Sequence, residues 1–199
     1  MSGQGRQAKI LSDAQVRAAL GHVESSSRYP ERDRVMILLS VKAGLRAKEI
    51  ANLTWSMVTD AEGALGDAIH LPNSASKGRN GGRTVPLNPL LWEALADLHA
   101  NRGDEVRPDA HIIHSERGEG YSAAAVQVWF ARLYSALGFD GASSHSGRRT
   151  FITKAAKRIV EAGGSLRDIQ ELAGHSSLAT TQRYIQGDSR AKQNVVRMI

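Results

Sequence analysis

In LAGHSSLATTQRYIQG, residues 172–187, a histidine and a tyrosine stand at the two edges of a predicted helix–turn–helix. Gly174 suits a helix stop, and Ser176 or Ser177 suits the next N-cap. Tyr184 is either an ordinary core aromatic or a nucleophile, with His175 facing the same phosphate. A phenol is a poor nucleophile at neutral pH because its pKa is about 10. Clustered positive charge favours the phenolate and also stabilises a developing phosphorane. The chemistry therefore depends on whether other segments supply cations. Three do. AGLRAKEI places Arg46 at a helix start, where guanidinium and helix N-terminus both favour an anion. Glu49 follows at i+3 and can brace it, or the two form a plain surface ion pair. SASKGRNGGRTVPL carries Lys77, Arg79 and Arg83 on a basic hairpin. Lys77 can reach a groove and donate a proton, which an arginine cannot readily do; the bland reading is a solubilising turn. SSHSGRRTF sets His145 and Arg148 on one helical face, where both can address one phosphate; alternatively the histidine caps a helix and the arginine is solvated.

The elements that must position these groups are mainly helical. Ser12 and Gln15 form a capping box ahead of VRAALGHV. Pro30 sits at a plausible N1 position before VMILLSVKA, which Gly44 stops. A short helix is predicted over AKEIANL. Between Thr54 and Leu87 the runs WSMVT, AIHL and RTVPL read as short strands divided by turn residues. Asn88 caps PLLWEALADLHA, and Ser122 opens AAAVQVWFARLYSALG, ended by Gly138. A long helix is predicted over RRTFITKAAKRIVEA, and Ser165 caps LRDIQELA. The fold class is mainly α with one small antiparallel sheet near residues 55–87.

Lys+Arg number 26 and Asp+Glu 20. Up to Ser144 the two balance, and from His145 onward 10 basic residues face 4 acidic ones, so the whole surplus of +6 lies in the last quarter. That asymmetry points to a polyanion partner, or to a solvated basic face. The chain has no cysteine, which excludes disulfides and thiol chemistry. The start lacks an apolar signal region and no apolar run reaches membrane-spanning length, so a soluble, cytoplasmic protein is expected. The pair His111 and His114 in HIIH has no acids placed for a metal site and reads as structural.

Read together, AGLRAKEI, SKGRNGGRTVPL, HSGRRTF and LAGHSSLATTQRYIQ closely resemble the tyrosine recombinase, or phage integrase, family from about Lys9 to the C-terminus. The resemblance implies the catalytic-domain fold of that family over residues 9–199, with residues 1–8 a flexible tail. It implies that Arg46, Arg148 and His175 bind a scissile phosphate. His145 assists proton removal from the nucleophile Tyr184, Lys77 protonates the departing 5′ oxygen, and Glu49 occupies the acidic position behind Arg46. The implied product is a 3′-phosphotyrosyl bond, exchanged between DNA strands without metal or cofactor, in integration, excision or inversion. The implied partner is double-stranded DNA, contacted by Arg79, Arg83 and Arg149 and bound by a DNA-dependent homo-oligomer, a tetrameric synapse. Two departures stand out. The family's N-terminal DNA-clamping domain is not expected in this chain, and Ser76 precedes Lys77 where threonine is common. A type IB topoisomerase and a non-cleaving DNA-binding regulator are the competing readings. The intact set of six residues argues against the regulator, and the context of His175 against the topoisomerase.

Overall fold

The computed structural model describes residues 8–73, 82–103, 106–116, 120–184 and 196. Lys77, Arg79 and the C-terminal tail other than Val196 lie outside the described residues.

The chain folds around one buried helix. Helix α1 (Asp13–Ser26) begins at the predicted capping box, Ser12 with Gln15. Helix α2 (Pro30–Lys42) begins with Pro30, whose missing N–H costs nothing in the first turn. From Val35 to Val41 every α2 side chain is buried, because α1, α4 (Pro89–Arg102) and α6 (Ser146–Arg158) all pack on it. Such a helix must be apolar all round, as VMILLSV is. Helices α3 (Ala47–Ala51) and α5 (Ala123–Ala136) close the same core. Trp55, Phe130 and Tyr134 are its largest buried side chains. Burial of each aromatic or aliphatic side chain stabilises the fold by about 1.5–3 kcal/mol before entropy is counted.

The sheet has two antiparallel strands, β1 (Ala68–Leu71) and β2 (Arg83–Pro86), with Ile69 opposite Val85 and Leu71 opposite Arg83. The predicted strand at WSMVT is instead a 3-10 turn over Trp55–Met57, flanked by isolated bridges from Thr54 and Thr59. The Met57 and Val58 amides bond back to Thr54 and Trp55, a tight turn that drops Trp55 into the core. Asn88 and Ser122 cap α4 and α5 through their side chains as their sequences suggest.

Helix α6 starts two residues before the predicted RRTF segment and ends at Arg158, short of Ala162. Thr150 ties it to the chain start: its hydroxyl accepts from the Leu11 amide and donates to the Ser146 carbonyl, both at 2.8 Å. Helices α7 (Leu166–Ala173) and α8 (Leu178–Gln182) follow, α7 opening with a Ser165–Asp168 capping box. They enclose a second, smaller apolar cluster of Ile152, Ile169 and Ala173, with Phe151, Ile159 and Tyr184 packed against it. No described helix is long and apolar enough to cross a membrane.

Candidate active site

The charged residues gather where the second cluster meets the first. Arg46 is the N-cap of α3, and Glu49 is at its N3 position. The Arg46 amide donates to Glu49 Oε2 and its Nη1 to Glu49 Oε1, each at 2.7 Å. Arg83 leaves β2 and approaches the same carboxylate from the other side, with Nη1 to Oε1 at 2.7 Å and Nη2 to Oε2 at 2.8 Å. Glu49 therefore accepts four hydrogen bonds while 1 % of its side chain is exposed. Burial alone would push its carboxyl up. The hydrogen bonds and charge of Arg83, then those of Arg46, outweigh burial and hold the pKa at about 2. The surface-pair reading of Arg46 and Glu49 is excluded by that burial.

Two carbonyl groups at the end of α7 receive the site arginines. Arg148 Nη2 donates to Ala173 O at 2.5 Å and its Nη1 to Gly44 O at 2.6 Å. Arg46 Nη2 donates to Gly174 O at 2.9 Å. These are the carbonyls that a helix C-terminus leaves without intrahelical partners, and they carry partial negative charge. Gly174 has φ +58°, and a Cβ there would lie 2.7 Å from Arg83 Nη1, so glycine is required both by the backbone and by the guanidinium beside it. Gly44, at φ +64°, has the ring of Phe151 where a Cβ would be. Arg148 is 3 % exposed. Burial, then the charge of Arg46, draws its pKa down, yet a guanidinium stays protonated at neutral pH.

His175 follows this turn. Its Nδ1 lies 3.0 Å from Thr181 Oγ1, and its ring stacks on Tyr184 at 5.4 Å between centroids. Partial burial and then the charges of Arg148, Arg46 and Arg83 lower its pKa to about 4, so the imidazole is neutral at pH 7. His145 is the N-cap of α6 and is exposed. Desolvation and the same two arginines, Arg148 and Arg46, lower its pKa as well. His145 and Tyr184 line one cleft of about 410 Å³ together with Ser143, Arg149, Thr180, Arg183 and Ala8. Arg149 also holds the chain start there, Nη1 to Ala8 O at 2.8 Å.

Arg46, Glu49, Arg148, His175, Tyr184 and His145 are thus neighbours, and Arg83 joins them from an unexpected side. Expected as an outward DNA contact, Arg83 has its guanidinium turned inward, with 8 % of the side chain exposed. Four participants escaped sequence reading: Thr181, and the carbonyls of Gly44, Ala173 and Gly174. Thr181 stood in the Thr-Thr-x-x-Tyr run, six residues after His175 and across the turn between α7 and α8; a carbonyl carries no sequence signal. The other tyrosines are engaged elsewhere. Tyr29 and Tyr121 flank the Arg32 guanidinium at 4.5 and 5.1 Å. Tyr134 is 2 % exposed, and burial pushes its phenol up. His111 and His114 sit in isolated bridges to Thr54 and Gly120, around the buried Ile112 and Ile113.

The chain is 34% identical over 197 residues to tyrosine recombinase XerC of Nitrobacter winogradskyi, covering 96% of this chain and 56% of that protein. XerC of Xanthomonas axonopodis pv. citri is 32% identical over 174 residues, 86% of this chain and 52% of that protein. The chain spans about half the length of these curated relatives. Among solved structures, the Tn1549 transposon integrase in complex with transposon right end DNA superposes with TM-score 0.74 at 19% identity, over 99% of this chain and 68% of that one. XerA recombinase gives TM-score 0.72 at 22% identity, over 95% and 64%. Both share the mainly helical fold with its small sheet. The phage integrase family model matches residues 9–190, and the chain belongs to that family.

Proposed function

We propose that this chain is the DNA-cleaving and rejoining part of a site-specific tyrosine recombinase acting in the cytoplasm. The observation that supports this most is the convergence of Arg46 and Arg148 on adjacent carbonyls of one turn, with His175 next in sequence and Tyr184 stacked on it. A phosphodiester at this turn meets two guanidinium groups and a neutral imidazole. With Thr181 donating to Nδ1, the Nε2–H of His175 is a donor to a phosphate oxygen.

Tyr184 Oη attacks phosphorus, forming the O–P bond as the bond to the 5′ oxygen breaks. The phenolic proton passes to His145, which is neutral at pH 7 and shares the cleft. The arginines stabilise charge on the non-bridging oxygens. Lys77 supplies the proton to the leaving 5′ oxygen. Attack by the 5′ hydroxyl of a second duplex reverses the step and completes exchange. Double-stranded DNA is the substrate, gathered by protein copies into a tetrameric synapse. The solved integrase structure at TM-score 0.74 is a complex with transposon right end DNA.

A pool of nicked duplexes of randomised sequence tests the reading. The nick lets the cleaved end diffuse away and leaves the covalent adduct trapped. The wild-type chain should yield an adduct stable to denaturant, and Tyr184→Phe should yield none while retaining DNA binding. An adduct from the Phe variant, or relaxation of a supercoiled plasmid without exchange between selected sites, would reject it.

A further inference from the structure

We propose that Arg83 is a positioning residue that sets the aim of Arg46 through Glu49, tying the β hairpin to the phosphate-binding turn. This rests on the recombinase reading above. A carboxylate offers about four lone-pair directions. Arg83 occupies two of them in a two-pronged hold, one on each oxygen. The two that remain face the Arg46 side chain and its amide. The orientation of the carboxylate plane is thus decided from β2, and Arg46 inherits it. The third anchor of Arg46, Gly174 O, belongs to the residue against which the Arg83 guanidinium lies, at 2.7 Å from the position of a Cβ. Arg83 therefore touches both things that hold Arg46.

The arrangement has a mechanical consequence. Arg83 opens β2, so a displacement of that strand moves Arg83, turns Glu49 and re-aims Arg46. An ångström of misplacement at a reacting phosphate lowers rate on the order of a hundred-fold. Arg83 itself, 8 % exposed and bonded inward, makes no contribution to DNA affinity.

Arg83→Lys separates geometry from charge, because an ammonium keeps the charge and loses the two-pronged fork. The trapped-adduct rate on a selected nicked duplex should fall roughly ten- to hundred-fold. DNA affinity and its salt slope should stay at the wild-type values, whereas a lost phosphate contact would lower the slope by about one. In a Glu49→Gln background the Arg83 substitution should add little further loss, since its path of action is already cut. Side-chain nitrogen NMR of Arg46 in the DNA-free chain gives a readout independent of cleavage. Separate Nη signals of a held guanidinium in the wild type should merge on Arg83→Lys. Unchanged Arg46 signals, a weakened DNA affinity with smaller salt slope, or full additivity with Glu49→Gln each overturns the proposal. A wild type that forms no adduct while Arg46 responds would reject the recombinase reading and leave the positioning role standing. Arg83→Gln, which keeps a planar donor, serves if the lysine variant does not fold. Unfolding of both variants overturns the proposal, because the pair would then support the fold and not the aim of Arg46.

Discussion

The two apolar clusters of this domain are built on different terms. The larger one, around α2, is a continuous apolar cluster into which few polar side chains enter, Ser40 of α2 being one. The smaller one has three fully buried residues, Ile152, Ile169 and Ala173. It is joined to the rest through α6, which packs on α2, and through directed polar bonds: Arg148 to Gly44, and Arg46 to Gly174. Hydrophobic burial is non-directional and tolerates sliding. Charge-assisted hydrogen bonds fix direction as well as distance. The site therefore sits where apolar packing is thin and orientation is supplied by guanidinium groups.

Three measurements bear on that contrast. The largest effect is expected from Phe130→Ala, which removes a ring that is 0 % exposed and stacked on Tyr134 at 5.7 Å. It should cost about 3–5 kcal/mol in urea unfolding. A loss under 1 kcal/mol would mean that the larger cluster does not carry the fold.

Next comes Glu49→Gln, at neutral pH on the order of 3 kcal/mol, from the displacement of its pKa from 4.5 to about 2. A depressed carboxyl pKa contributes fully above 4.5, and that contribution fades as pH falls toward 2. His175, depressed from 6.5 to about 4, is a base, so the unfolded chain takes up its proton first, and stability declines as pH drops from 6.5 toward 4. The variant should keep this upper decline and lose most of the lower one. Asp13 and Asp168, both fully exposed, are lowered too and remain as a small residue of the acid limb. An unchanged acid profile below pH 4.5 would show that Glu49 is not the main group.

The smallest effect compares two identical devices. Ser12→Ala and Ser165→Ala each remove a capping box, costing about 1 kcal/mol of local helix stability. On the smaller cluster, Ser165→Ala should raise hydrogen exchange in residues 166–173 while α2 remains protected. If both variants act only through global unfolding, the two clusters are one cooperative unit.

What the sequence made legible was local. Ser12, Pro30, Asn88, Ser122 and Ser165 start their helices because cap chemistry reaches only three residues ahead. Arg46, His145, Arg148, His175 and Tyr184 could be named because their types and short contexts are distinctive. The strand expected at Trp55–Thr59 failed because four apolar or β-branched residues in five also suit a tight turn, and only the core decides where Trp55 goes. The long α6 failed at its end because its apolar spacing runs on through Ile159, Val160 and Ala162, while a run of turns begins at Ile159. The inward turn of Arg83 was illegible for a different reason. Its partner Glu49 lies 34 residues earlier, and nothing local distinguishes a guanidinium facing water from one facing a buried carboxylate.

The bonds that aim the site also span much of the chain. Arg46 reaches Gly174 across 128 residues, and Arg148 reaches Gly44 across 104. Local helices form before such contacts, because closing a long loop costs entropy that only the finished contact returns. During synthesis, at about 5–20 residues per second, the segments of the larger cluster emerge for several seconds before Gly174 does. In that interval Arg46 and Arg148 have no α7 carbonyls to hold them. A chain that ends before α7 therefore lacks the carbonyls that aim Arg46 and Arg148, and this turn is completed only late in synthesis.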